Sequence, residues 1–409
     1  MKVLKYIEDE EEIKKLCFRG NVQSPKVYSS VCKIIAGVRD KGDAAVFSYT
    51  KKFDDFDLSE KNIRVTSSEI DKAYSRIPEK LRRALGTARD NIRVFHKKQY
   101  DCIEKELDVK VADGVVVGEK TVPIDSVGLY VPGGRAAYPS TVLMNAVPAK
   151  VCGVARIVVA SPPLIADSVL AACKMCGVDE VYQVGGVQAI AALAYGTESV
   201  PSVSKIVGPG NKYVACAKTL VYGKVDTDMP AGPSEILILA DENANPEIIK
   251  ADMLAQAEHD PDAVCVLATT DKTLPGKINV KGIQFTSVIV DSTDDAVSFT
   301  NQFAPEHLEV LTEDALGVSQ GIVNAGSIFI GEFSLVVAGD YASGGNHVLP
   351  TGGAARFSSP LSVRDFLKTF QTQTVTKKGL SALREIIAVL AESEGLVKHK
   401  RSVDARFTD

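Results

Sequence analysis

Apolar residues in the first hundred positions recur at helical spacing. Between Pro78 and Glu106, Leu81, Leu85, Ala88, Ile92 and Phe95 fall three or four apart, which predicts one long amphipathic helix. Residues 1 to about 110 read mostly as helix, and so as scaffold. His96 lies beside Lys97 and Lys98 in that helix and is expected at the surface, without chemistry.

From Val127 the pattern changes. The short apolar runs VGLYV, RIVVAS, EVYQVG and KIVG are each followed by turn residues and then a helical stretch. Strands alternating with helices of about 10 to 15 residues predict βαβ units and a mainly parallel sheet. A second set beyond Glu235, EILILAD, AVCVLATT, VIVDS, LEVLT and GSIFIG, predicts another sheet. Two α/β domains account for both sets. Their boundary is expected near DTDMPAGPSE, where two prolines and a glycine break helix and strand alike. A helical segment from Leu380 to about Val397 precedes a basic and polar tail.

Composition narrows the partners. A chain of 409 residues that is 45% hydrophobic has material for more than one core. The net charge of −5, with both signs interspersed, supplies no basic stripe for nucleic acid and no polybasic patch for a membrane. A small molecule is the expected partner. The N-terminus turns acidic within ten residues and does not read as a signal peptide. The most apolar region, Val142 to Val178, is interrupted by Lys150, Arg156, Asp167 and Lys174, too often to span a bilayer. The protein is therefore expected in the cytoplasm. Eight scattered cysteines form no disulfide framework, and the single CxxC, Cys173 and Cys176, reads as two half-buried thiols in an apolar helix.

Three turns have the form of phosphate sites, following a strand and opening a helix: Tyr130-Val-Pro-Gly-Gly134, Gly185-Gly-Val-Gln188 and Gly208-Pro-Gly-Asn211. None is GxGxxG, since Tyr213 stands where the third glycine would fall. Glycines needed only for tight turns are the competing reading of each. Four of the five histidines are candidates for a site: His259, His307 and His347 lie beside acids or amides, and His399 stands between two lysines of the tail. Asn245-Pro is a helix start. It places Gln256 and His259 on one face, a pair that can bind one ion or make a core contact. Glu306-His307 follows Ala304-Pro305, and Asp340 and His347 bracket a polar, glycine-rich loop of a kind that often carries function.

These segments resemble the histidinol dehydrogenase family. The resemblance runs through VGLYVPGGRAAYPSTVLMNAVPAKVCGV, VGGVQAIAALAYGTESVP, KIVGPGNKYV, DMPAGPSEILILAD, ADMLAQAEHD, FAPEHLEV and GDYASGGNHVLPTGG. With weaker similarity at both termini it covers nearly the whole chain. It implies the oxidation of L-histidinol to L-histidine with two NAD and one Zn2+ per subunit. It implies a fold of two Rossmann-like doubly wound domains with helical N- and C-terminal extensions. The extension would span 1–20, and a first domain of 21–126 and 236–362 would carry metal and catalytic residues. A second domain of 127–235 would bind NAD. A tail of 363–409 would reach the partner subunit's site in a homodimer with shared active sites.

By position, the resemblance implies catalytic roles for Glu306 and His307 and metal ligands at Gln256, His259, Asp340 and His399. Substrate contacts would come from Ser234, His347 and Glu394 together with Gln256, His259, His307, Asp340 and His399. NAD would meet Tyr130, Gln188 and Asn211. The tail matches mainly on Glu394-Gly-Leu and His399.

Removing four electrons from an alcohol with a one-hydride cofactor requires two turns of that cofactor, with an aldehyde between them. His307 is of a residue type whose unperturbed pKa is near neutrality and suits removal of the hydroxyl proton, and Glu306 suits activation of the water that hydrates the aldehyde. Neighbours on an extended chain point apart, so a turn at Pro305 is needed to bring both to one carbon. Zinc would anchor the imidazole and amine of the substrate, with water activation as the competing role. Cys152, Cys216 and Cys265 sit in apolar runs without cationic neighbours and are not expected as nucleophiles. Oxidation of another small polar alcohol, a zinc hydrolase and a metal-binding structural protein are the alternative functions.

Overall fold

The protein is described here from a computed structural model covering residues 2–19, 24–133, 137–229, 232–258, 261–278 and 285–407. The chain forms two compact units, Met1–Tyr100 with Ile124–Phe366, and Asp101–Pro123 with Leu367–Asp409.

The first unit holds two parallel sheets. In the five-stranded sheet, Ser126–Tyr130 lies centrally, with Arg156–Ala160 and Glu180–Tyr182 on one side and Lys205–Val207 and Asp226–Thr227 on the other. This is a doubly wound order. Its switch point falls between Ser126–Tyr130 and Lys205–Val207, where Leu129 pairs with Val207. The six-stranded sheet repeats the order around Glu235–Ala240. Val264–Thr269 and Phe285–Ile289 lie to one side and His307–Leu311 and Ser327–Ile330 to the other. Both sets of apolar runs thus become strands.

Alternation along the six-stranded sheet sorts its residues between two faces. Leu237, Leu239, Val266, Ala268, Leu308 and Val310 pack with Phe299 and Phe303. Ile236, Ile238, Cys265, Leu267 and Leu311 pack with Ile249, Met253 and Val336. His307 and Glu309 alternate with Leu308 and Val310, so they share the second face with the Pro246–Ala257 and Val336–Tyr341 helices.

The N-terminal segment departs from the helical extension expected over 1–20. Lys2–Lys5 is a strand that pairs in parallel with Phe285–Ile289 at the sheet edge, and the Glu10–Cys17 helix follows it. The Pro25–Lys41 helix buries Val27, Val31, Ile34, Ile35 and Val38 in the core of the five-stranded sheet. The sequence reading had grouped it with residues 236–362.

The long helix runs Glu79–Asp101 and buries Leu85, Ile92 and His96. His96, expected at the surface, is fully buried, whereas Phe95 is 45% exposed. A residue four beyond Ile92 stays on the inward stripe and a residue three beyond it falls outside. Nδ1 of His96 donates to the Ile92 carbonyl at 2.8 Å, and Nε2 lies 3.4 Å from the Asn346 amide nitrogen. Asn91 Nδ2 donates to the Ala342 carbonyl at 2.8 Å. The loop leading to His347 is therefore moored on this helix.

The second unit is an antiparallel sheet of Glu106–Ala112, Val115–Pro123 and Leu367–Val375, followed by the helices Lys377–Ser393 and Val397–Asp404. The segment 363–409 thus carries a nine-residue strand as well as helices. Thr376 caps the first helix by accepting from Gly379 N at 3.1 Å, and Arg384 pairs with Asp404 at 2.8 Å.

Candidate active site

The buried pair Glu306 and His307 sits at the amino edge of the six-stranded sheet. Ala304, at the end of the Thr293–Phe303 helix, adopts left-handed backbone (φ 52°). A non-glycine residue takes that conformation at a cost. The turn expected at Pro305 is therefore made one residue earlier, which suits the rule that residues before proline avoid the right-handed helical region. The chain enters the His307–Leu311 strand with both side chains on one side.

Both side chains then bond one residue of the neighbouring strand. Oε2 of Glu306 accepts from Glu235 N–H at 2.7 Å, and Nδ1 of His307 meets the Glu235 carbonyl at 3.0 Å. A carbonyl accepts only, so Nδ1 carries the ring proton and the neutral tautomer keeps its basic lone pair on Nε2. Nε2 lies 3.8 Å from Oδ1 of Asp340. His347 repeats the arrangement, with Nδ1 3.0 Å from the Asp340 carbonyl.

Burial pushes the Glu306 carboxyl well above its ordinary value of 4.5, and the charges of Glu235 and Asp340 push the same way, against the Glu235 N–H bond that lowers it. A carboxylate with a raised pKa is a stronger base than one in water. Glu235 is itself fixed. Arg19 Nε and Nη2 bond its two carboxylate oxygens at 2.7 and 2.8 Å, Gly352 N donates at 3.0 Å, and the Arg19 guanidinium lies 3.3 Å from the Phe303 ring centroid.

Gln256 is buried at the end of the Pro246–Ala257 helix, and Ser234 is half-buried just before Glu235. His259 lies outside the described residues. Glu394, the C-cap of the Lys377–Ser393 helix, and His399, in the Val397–Asp404 helix, belong to the second unit. Among the described residues no three histidine, cysteine or acidic side chains gather as a ligand set. The chemistry still fits a cation, because Glu306 and Asp340 are buried carboxyls in electrostatic reach of one another. Such a group gains from a neighbouring positive charge.

The three glycine turns stand at the carboxyl ends of the five-stranded sheet, two of them flanking its switch point. Tyr130 is buried, its hydroxyl accepts from Gly186 N–H at 3.1 Å, and burial pushes that hydroxyl to about 12. Gln188 is buried with Nε2 3.5 Å from Oδ2 of Asp54, and Asn211 caps its helix by accepting from Tyr213 N and Val214 N at 3.0 and 3.2 Å. Gly208 (φ 118°) lies so close to Tyr130 that a Cβ would overlap its carbonyl oxygen. The buried Lys218–Asp228 ion pair grips this turn: Asp228 accepts from Gly208 N at 2.7 Å and Lys218 donates to Gly208 O at 2.9 Å.

The cysteines show no activated thiol. Burial pushes Cys265 up to about 11 and raises Cys216, and Cys152 donates to the Val363 carbonyl at 3.2 Å. Cys173 and Cys176, expected half-buried, are both buried, and burial raises them as well.

Sequence reading missed Arg19, Glu235 and Glu309 as parts of this site. The available signal was an acid inside an otherwise apolar strand, as in Glu235 opening EILILA and Glu309 within HLEVL.

The sequence model of the histidinol dehydrogenase family matches residues 18–407. A histidinol dehydrogenase of Methanosarcina mazei is 46% identical over 97% of this chain and 96% of its own length. One of Clostridium acetobutylicum is 44% identical over 98% of this chain and 97% of its own. The crystal structure of histidinol dehydrogenase from Elizabethkingia anophelis superposes with a TM-score of 0.90 at 36% identity, covering 100% of this chain and 98% of that one.

Proposed function

The chain belongs to the histidinol dehydrogenase family, oxidoreductases of histidine biosynthesis, and from that premise we propose a four-electron oxidation of L-histidinol to L-histidine through histidinaldehyde. Two NAD are reduced in sequence, and each subunit uses one zinc ion. The observation that carries this reading is the pair Glu306 and His307 on the Glu235 backbone beside Asp340.

His307 takes the hydroxyl proton on Nε2 as hydride leaves the carbinol carbon. Its Nδ1 bond to the Glu235 carbonyl stabilises the imidazolium that forms. Glu306 draws a proton from the water that adds to the aldehyde, a task its raised basicity suits. His347, held through Nδ1 on Asp340, presents Nε2 for substrate recognition with Ser234, and Glu394 of the partner subunit would join them. Gln256, His259 and Asp340, with His399 of the partner subunit, would hold zinc, which when bound supplies a Lewis-acid anchor for the imidazole and amine nitrogens of the substrate.

Tyr130, Gln188 and Asn211 are the proposed NAD contacts of the 127–235 domain, at strand ends where doubly wound sheets take dinucleotides. A homodimer with shared sites is proposed from the second unit. There Ile386, Val389 and Leu390 form an exposed apolar stripe at helical spacing, and Leu107, Val109 and Val111 are exposed on its strand. Solvent is an unfavourable neighbour for such a row, and a second copy would cover it. Among the described residues no helix is long and apolar enough to cross a membrane, and the cytoplasm is the proposed compartment.

The test is the number of NADH formed per histidinol consumed, with and without a chelator. Two NADH, abolished by chelation and restored by zinc, are expected. One NADH would end the four-electron reading, and none would favour hydrolysis.

A further inference from the structure

Residue 208 has to be glycine, because a Cβ there would overlap the Tyr130 carbonyl oxygen, yet glycine has more conformational freedom than any other residue. The Gly208–Asn211 turn therefore needs an outside restraint to keep one shape. Lys218 and Asp228 supply it from the interior. Asp228 Oδ2 accepts from Gly208 N–H at 2.7 Å, and Lys218 Nζ donates to the Gly208 carbonyl at 2.9 Å. The two side chains form an ion pair and are only 6% and 1% exposed. Lys218 belongs to the Lys212–Val221 helix that Asn211 caps, and Asp228 follows the Asp226–Thr227 strand. Helix, strand and turn are thus tied together beside Tyr130, whose hydroxyl in turn accepts from Gly186 N–H at 3.1 Å.

A buried ion pair gains little net stability over apolar residues of the same volume. What this one adds is direction, since its donor and its acceptor are aimed at the two polar groups of a single glycine. We infer that Lys218 and Asp228 are positioning residues for the dinucleotide, fixing Gly208 so that Asn211 and Tyr130 stand in their binding arrangement before NAD arrives. Ordering a glycine turn during binding costs affinity, and a turn ordered beforehand avoids that cost. Both residues act through the turn, and the inference rests on the proposed NAD contacts of Tyr130, Gln188 and Asn211.

The test separates this role from general stability. Lys218→Met combined with Asp228→Leu removes the pair without leaving a lone charge in the core, so the double variant should fold. NAD and, separately, histidinol are titrated into the full-length, zinc-loaded enzyme by calorimetry, and hydrogen exchange is read at the Gly208 amide. The double variant should raise the Kd for NAD about tenfold and hold the Kd for histidinol within about threefold of wild type. Exchange at Gly208 should become at least roughly tenfold faster.

An unchanged Kd for NAD in the folded double variant would overturn the inference, as would equal losses for both ligands. If the double variant does not fold, the wild-type Gly208 amide decides. A turn held in advance protects that amide equally with and without NAD, to within about threefold. Protection that arises only with NAD would count against the pair. If the wild-type enzyme binds no NAD, the proposed cofactor site falls and this role with it, whereas NAD binding that the double variant retains removes the role of the pair alone.

Discussion

Glu306 and His307 face the same side of the chain, with Oε2 of the first 3.5 Å from Nδ1 of the second. Adjacent residues of a strand cannot do this. The left-handed Ala304 and the following Pro305 delay the start of regular extension until His307. Glu235 then completes the arrangement, donating its N–H to one neighbour and offering its carbonyl to the other. Two titratable groups are held at fixed spacing by a single backbone residue, which suits the proposed reaction with its two distinct proton transfers.

The roles of the pair separate in partial reactions. Glu306→Gln retains an acceptor for Glu235 N–H and loses the base, so the first hydride step should survive while aldehyde oxidation slows by on the order of 10² to 10⁴. His307→Asn should slow the first step by a similar factor. Rapid-quench measurement of NADH with trapping of the aldehyde distinguishes them. Aldehyde release from His307→Asn, and none from Glu306→Gln, would reverse the assignment.

Arg19 supports this pair from a distance. Its guanidinium bonds both oxygens of Glu235, whose side chain is almost fully buried, and stacks on Phe303. Arg19→Ala leaves a buried carboxylate without its partner and should cost about 3 kcal/mol in denaturant unfolding. Arg19→Lys restores the charge but not the fork or the stacking, so it should recover only part of the stability and of kcat. Full recovery by lysine would show that charge alone is needed.

The two sheets were legible because most of their strands are largely apolar runs, buried on both faces by the helices that alternate with them. Lys2–Lys5 was not, since an edge strand with only Leu4 buried carries almost no pattern. Glu106–Ala112 is exposed at every position, so alternation had no burial to report. Glu306 and His307 could be named from their motif, but the Ala304 backbone that makes them converge depends on the helix end before them. Arg19 and Glu235 are 216 positions apart, and a pairing that long belongs to the fold. His96 was misplaced because its charged neighbours in sequence point outward from a helix whose inward stripe includes it.

His96 gives the pH dependence of stability a definite sign. Burial holds its imidazole below the ordinary histidine value of 6.5, so between these two values the unfolded chain binds a proton that the folded protein refuses. The contribution of His96 is therefore complete above about pH 6.5 and is lost as pH falls through the folded value. Because Nε2 faces Asn346, next to His347, protonation there also strains the loop that carries this proposed substrate contact. His96→Gln stays neutral at every pH and can still bond Ile92 and Asn346. It should flatten the fall in unfolding free energy between pH 7 and 5 and leave the alkaline side unchanged, as read by denaturant titrations at fixed ionic strength (roughly physiological). An equally steep acid slope in the variant would assign that loss of stability to other groups.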